Sequence, residues 1–108
     1  MIIDVRARRP VLSNLVGGIS GMALRPIAVR CVYELAEAVN LPIIGTGGVT
    51  SGEDAMQMIM AGATAVGLGS VLQRYGSEAF SRILTELTEL MREEGFARMD
   101  DFRGCAHG

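Results

Sequence analysis

Two short apolar runs, each followed at once by glycine, constrain this chain more than any other feature. Pro42-Ile43-Ile44 leads into Gly45-Thr46-Gly47-Gly48, and Ala65-Val66-Gly67-Leu68 leads into Gly69-Ser70. An apolar run with no polar alternation suits a short strand covered on both faces, as in parallel sheets. Glycine at the strand end lets the backbone turn with positive φ and leaves its N–H groups open to approach. The chain therefore reads as a series of β–loop–α units, not as a helix bundle or a β-sandwich.

The flanking segments supply the helices. Pro26 suits a first helical turn, and Ala28, Cys31, Val32, Leu35, Ala36 and Val39 recur at 3 and 4 spacing as one buried face. Asn40 and Pro42 close that helix. Ser51 caps a second helix, with Glu53 and Asp54 complementing the positive end of its dipole and Gly62 as its stop. Ser77 is expected to cap a third and longest helix, with Phe80, Ile83, Leu84, Leu87, Leu90 and Met91 as its apolar stripe and Gly95 as its end. The order helix, strand, helix, strand, helix implies parallel strands joined by right-handed crossovers. Before it, Ile2–Val5 and Val11-Leu12 are two short extended pieces around an arginine-rich turn, and residues 17–21 are a loop. Met99–Gly108 reads as a polar tail with room for one helical turn from Asp100.

Composition excludes several classes. Hydrophobic residues make up 49% and charged residues 20% of the 108, which suits one folded domain and not a disordered tail. A formal net charge of −2 gives no electrostatic reason to expect nucleic acid. No apolar stretch approaches the roughly 20 residues of a membrane span. Two cysteines make no disulfide framework, so a reducing cytoplasm is the expected setting. Cys31, on an apolar helical face, is expected to be a buried structural thiol. Cys105-Ala106-His107 lacks a second ligand cluster, so no metal site is expected.

In parallel α/β folds, sites form at the carboxyl ends of strands, where both glycine clusters lie. One such cluster alone reads more readily as a plain tight turn. Two on consecutive units favour a shared phosphate site, with the following helix N-terminus adding donors. Neither cluster is a Walker loop or a dinucleotide fingerprint.

The stretch from Arg8 to Leu72, with "GGISGMALRP", "IIGTGGVTSGEDA" and "AVGLGSVL", closely resembles the end of the catalytic subunit in the dihydroorotate dehydrogenase family, most of all its class 1B, NAD-linked type. "FARMDDFRGCAHG" resembles that family's closing segment. The chain departs from the family's usual Gly-Pro-Ala-Ile-Lys-Pro at "GGISGMALRP". The resemblance implies an α/β fold forming the C-terminal part of a TIM (β/α)8 barrel, about two and a half βα units over residues 1–108. It implies FMN as cofactor, with Gly47, Gly48, Gly69 and Ser70 at its phosphate and Gly21 against the flavin. It also implies oxidation of dihydroorotate to orotate in pyrimidine biosynthesis. The implied partners are an N-terminal barrel segment, a homo-oligomer and an FAD/iron–sulfur subunit linking to NAD. No catalytic residue is expected within these 108; the base and the substrate-binding Asn-Thr pair would lie outside them. Two other readings stay open: a catalytically inactive phosphate-binding or oligomerisation module, and part of another phosphate-binding barrel enzyme.

Overall fold

The computed structural model describes residues 1–108. It opens with a hairpin of two strands, β1 (Ile3–Asp4) and β2 (Arg9–Pro10), paired antiparallel with Ile3 opposite Pro10. Asp4 makes the turn: its Oδ1 accepts from the amides of Arg6 and Ala7, both at 2.9 Å. Nearly every residue of the first 20 is exposed. The radius of gyration is 16.7 Å, against about 13 Å for a compact chain of this length, so this arm stands off the remainder.

The remainder follows the expected alternation. Helix α1 (Arg25–Ala38) carries Pro26 in its first turn, and a 3₁₀ turn (Met22–Leu24) leads into it. Strand β3 (Ile44–Thr46) precedes α2 (Gly52–Met60), and β4 (Ala65–Gly67) precedes α3 (Val71–Tyr75) and α4 (Glu78–Glu93). Strands β3 and β4 are parallel, with Ile44, Gly45 and Thr46 opposite Ala65, Val66 and Gly67. This is the expected piece of a (β/α) barrel, with one element not anticipated, the short helix α3. Gly76 breaks α3 from α4, and Ser77 sits at the N-cap position, but its side chain makes no capping hydrogen bond, because its own dihedrals are helical (φ −64°, ψ −18°) where a capping serine is extended.

Three expectations about burial need correction. The strands are covered on one face only. Gly45 is buried, packed so closely that a Cβ there would lie 3.1 Å from both Ala63 Cβ and Met58 Sδ. On the opposite face Ile44 is 72% exposed and Thr46 and Ala65 are open. Of the α4 stripe, Ile83 and Leu87 enter the core, whereas Phe80 and Leu84 remain exposed. Cys31 is exposed, since the buried face of α1 is narrower than its apolar spacing suggested and runs through Ala28 and Val32.

The core centres on α2, which lies between α1 and α4 and buries six of its nine residues. The closing segment completes this core and is not a polar tail. Phe102 is wholly buried and stacks on Phe96 at 4.9 Å. The Gly104 amide donates to the Ile59 carbonyl at 3.0 Å. His107 stacks on Tyr33 at 3.8 Å, with its Nε2 2.8 Å from the Ala61 carbonyl oxygen. Two 3₁₀ turns, Met99–Asp101 and Cys105–His107, give the segment its path.

Candidate functional site

Three loops meet at the carboxyl ends of β3 and β4, and the geometry at their glycines shows how closely. Gly48 has φ +72°, and a Cβ there would lie 2.6 Å from the Gly21 carbonyl oxygen and 2.8 Å from Arg25 Cβ. Gly47 has φ +135°, and a Cβ there would lie 2.7 Å from Ala28 Cβ. Both positions therefore need glycine for conformation and for space. Gly21 in turn faces the second loop: a Cβ on it would stand 4.0 Å from Ser70 Oγ. Gly69 differs, with open space around it and no positive φ.

The backbone N–H groups of Gly47, Gly48, Val49, Gly69 and Ser70 donate to no acceptor within the chain. They are the donors an anion would use. The N-terminus of α2, expected to add donors, contributes fewer. The Gly52 amide donates to Glu86 Oε2 at 2.7 Å, the Asp54 amide to Ser51 Oγ at 3.2 Å and the Ala55 amide to the Ser51 carbonyl at 3.1 Å. The available donors thus belong to the glycine loops more than to the helix behind them.

A charged network fixes the first loop. Asp54 is buried; its Oδ2 accepts from the Thr50 amide at 2.9 Å and the Thr50 hydroxyl at 3.0 Å, and its Oδ1 lies 2.6 Å from Arg25 Nη1. Burial alone would push this carboxyl's pKa up. The two Thr50 hydrogen bonds, then Arg25 and Ser51, outweigh burial and hold the group below its ordinary 3.8. Sequence reasoning gave Asp54 only a helix-dipole role; its actual work is to tie the first turn of α2 to the first turn of α1.

A cleft of about 370 Å³ opens beside the loops. Gly21 and Ser70 line it, with Thr50, Ser51, Arg74, Tyr75 and Arg82, whereas Gly47, Gly48 and Gly69 do not. Arg82 links the first loop to the end of α3. Its Nη2 donates to the Thr50 carbonyl at 2.8 Å, and its guanidinium lies 4.4 Å from the centroid of Tyr75, the last residue of α3. The Arg82 Nη1 donates to Glu86 Oε1 at 3.3 Å, and that carboxylate also holds Gly52. Sequence reading missed Arg74, Tyr75 and Arg82. The Arg74-Tyr75 pair between Ser70 and Gly76 was a usable signal, but nothing local in α4 marks Arg82.

A strand-end phosphate cradle followed by a short extra helix is the arrangement found after the last two strands of many (β/α)8 barrels. The family model described as dihydroorotate dehydrogenase matches residues 1–91. Among relatives named dihydroorotate dehydrogenase B (NAD(+)), catalytic subunit, the protein of Methanothermobacter thermautotrophicus is 45% identical over 107 residues, covering 99% of this chain and 35% of that protein. That of Methanosarcina mazei is 46% identical over 108 residues, covering 99% and 34%. A ligand-free crystal structure of DHODH from Eimeria tenella superposes with a TM-score of 0.82 at 29% identity, over 94% of this chain and 29% of that one. The ferulenol complex of DHODH from the same organism gives 0.80 at 28% identity, over 89% and 28%. The chain spans about a third of the length of these relatives, and no helix in it is long and apolar enough to cross a membrane. Matched over most of its length, the chain belongs to the dihydroorotate dehydrogenase family.

Proposed function

We propose that residues 1–108 form the C-terminal, FMN-phosphate-binding part of a dihydroorotate dehydrogenase barrel, which oxidises dihydroorotate to orotate in the cytoplasm. The observation that carries this reading is the set of unpaired amides at Gly47, Gly48, Gly69 and Ser70 on two adjacent parallel strand ends. FMN bound there would supply the acceptor for the hydride that leaves the substrate. The chain's own residues bind and orient. The loop amides receive the phosphate oxygens, Gly21 gives the flavin a side-chain-free surface, and the Arg25–Asp54–Thr50 network fixes the first loop. The base that takes the substrate proton and the Asn-Thr pair that holds the substrate belong to the remaining barrel. The names of the relatives support an NAD-linked enzyme with a second subunit; that this subunit carries FAD and an iron–sulfur cluster rests on the family resemblance alone. The exposed face of β3 and β4 supports contact with the rest of the barrel.

Reconstitution tests the reading. The chain alone should not reduce a dye with dihydroorotate. Joined to the first two thirds of a relative, it should acquire flavin absorbance and turnover. Dye reduction by the chain alone, or a joined barrel that never takes up flavin, would sink it.

A further inference from the structure

The cleft beside the glycine loops has a charge pattern at odds with the chain as a whole. Arg74 and Arg82 both line it, hydroxyls of Thr50, Ser51 and Ser70 share its walls, and no carboxylate lines it, although the net charge is −2. The two arginines are not equivalent. Arg82 is committed to the Thr50 carbonyl, to Glu86 and to the Tyr75 ring. Arg74 lies 5.3 Å from the same ring centroid but pairs with no carboxylate. Tyr75 thus gathers two like charges at one cleft, and Arg74 is the one still able to turn toward a ligand. The glycine loops offer only neutral dipoles, which receive phosphate oxygens without balancing a dianion's charge.

We propose that Arg74 makes this cleft select a phosphate monoester over its unphosphorylated counterpart. The proposal rests on the reading above for the flavin, but not for the charge of the ligand.

FMN and riboflavin differ only in the phosphate, so the two are titrated by flavin fluorescence into the barrel formed when the chain is joined to the first two thirds of a relative. The wild-type barrel should prefer FMN, and Arg74→Gln should weaken FMN about fivefold, the worth of one charge pair near 4 Å in water. Riboflavin binding should not change, and Arg74→Lys should keep most of the preference. The FMN preference should also fall with added salt more steeply in the wild type than in Arg74→Gln. An unchanged FMN-to-riboflavin ratio in Arg74→Gln would overturn the proposal. Inorganic phosphate, followed at the Ser70 and Thr50 amides by NMR, separates it from the flavin reading. Phosphate shifts that Arg74→Gln weakens, with neither flavin bound, would uphold the cleft and remove the flavin. Amides that do not respond to phosphate, in a barrel with no preference for FMN, would overturn the assignment of Arg74.

Discussion

Arg25 Nη1 lies 2.6 Å from Asp54 Oδ1, and this one ion pair joins the first turn of α1 to the first turn of α2 across the glycine loop. Removing the carboxylate charge leaves Arg25 without its partner and weakens the hold on Thr50. Asp54→Asn should therefore cost about 3 kcal/mol near neutral pH, at the low end for a buried pair because Arg25 is partly exposed. Urea titrations followed by circular dichroism measure it.

The same pair sets a pH dependence. Asp54 titrates below its unfolded value of 3.8, so it stabilises the fold above that pH and the stabilisation is lost as pH falls through the lower, folded value. The stability difference between wild type and Asp54→Asn should stay constant from about pH 7 to 5 and shrink from about pH 4 to 2. A difference that persists undiminished at the acid end would mean that the charge is not its source.

Gly48 and Gly69 look alike in the sequence and should behave differently. Gly48→Ala forces a side chain into positive φ and against the Gly21 carbonyl, and should destabilise by at least about 2 kcal/mol. Gly69→Ala meets nothing and should stay within about 0.5 kcal/mol of the wild type. Because its fold is unaffected, Gly69→Ala is the cleaner variant for asking whether the second loop binds phosphate. Thermal melts with and without phosphate give both answers.

Phe102→Ala should cost about 3–5 kcal/mol, the usual range for emptying a large aromatic site in a core. The residue is wholly buried between Phe96 and the core. A loss under about 1 kcal/mol in the free energy from urea titration, as expected for a surface position, would show the closing segment to be detachable.

The open face of the fold should drive association. Ile44 on the strands and Phe80 and Leu84 on α4 are exposed, and both outer edges of the β3–β4 pair lack a neighbouring strand. The double variant Phe80→Glu, Leu84→Glu should shift the chain toward monomer in sedimentation velocity with little change in stability. A wild-type chain that stays monomeric at high micromolar concentration would refute this expectation.

The legible features were those with local causes. Pro26, Ser51, Gly62 and Gly95 mark helix boundaries through backbone chemistry, and each lies within a residue or two of where it was expected. The strand-end glycines were legible for the same reason. Burial was harder, because it depends on what packs opposite. Phe80 and Leu84 share the spacing of Ile83 and Leu87, yet no element of this chain covers them. Arg82 was invisible as a loop support, since its partner Thr50 lies 32 positions away, and so was the Arg25 pairing of Asp54, 29 positions away; the local Thr50–Asp54 bonds, four positions apart, were within reach of a sequence reading. Phe102 sat in a segment whose charged neighbours suggested solvent.

The placement of α2 has a consequence for how quickly its amides trade hydrogen with solvent. This helix is walled in by α1, α4 and the closing segment, so its opening requires much of the domain to open with it, and its amides should be among the slowest to exchange. The first glycine loop is anchored at the head of that helix through Ser51 and Asp54. Its donors are therefore mounted on the least yielding element of the chain, and an arriving anion loses little entropy to ordering them.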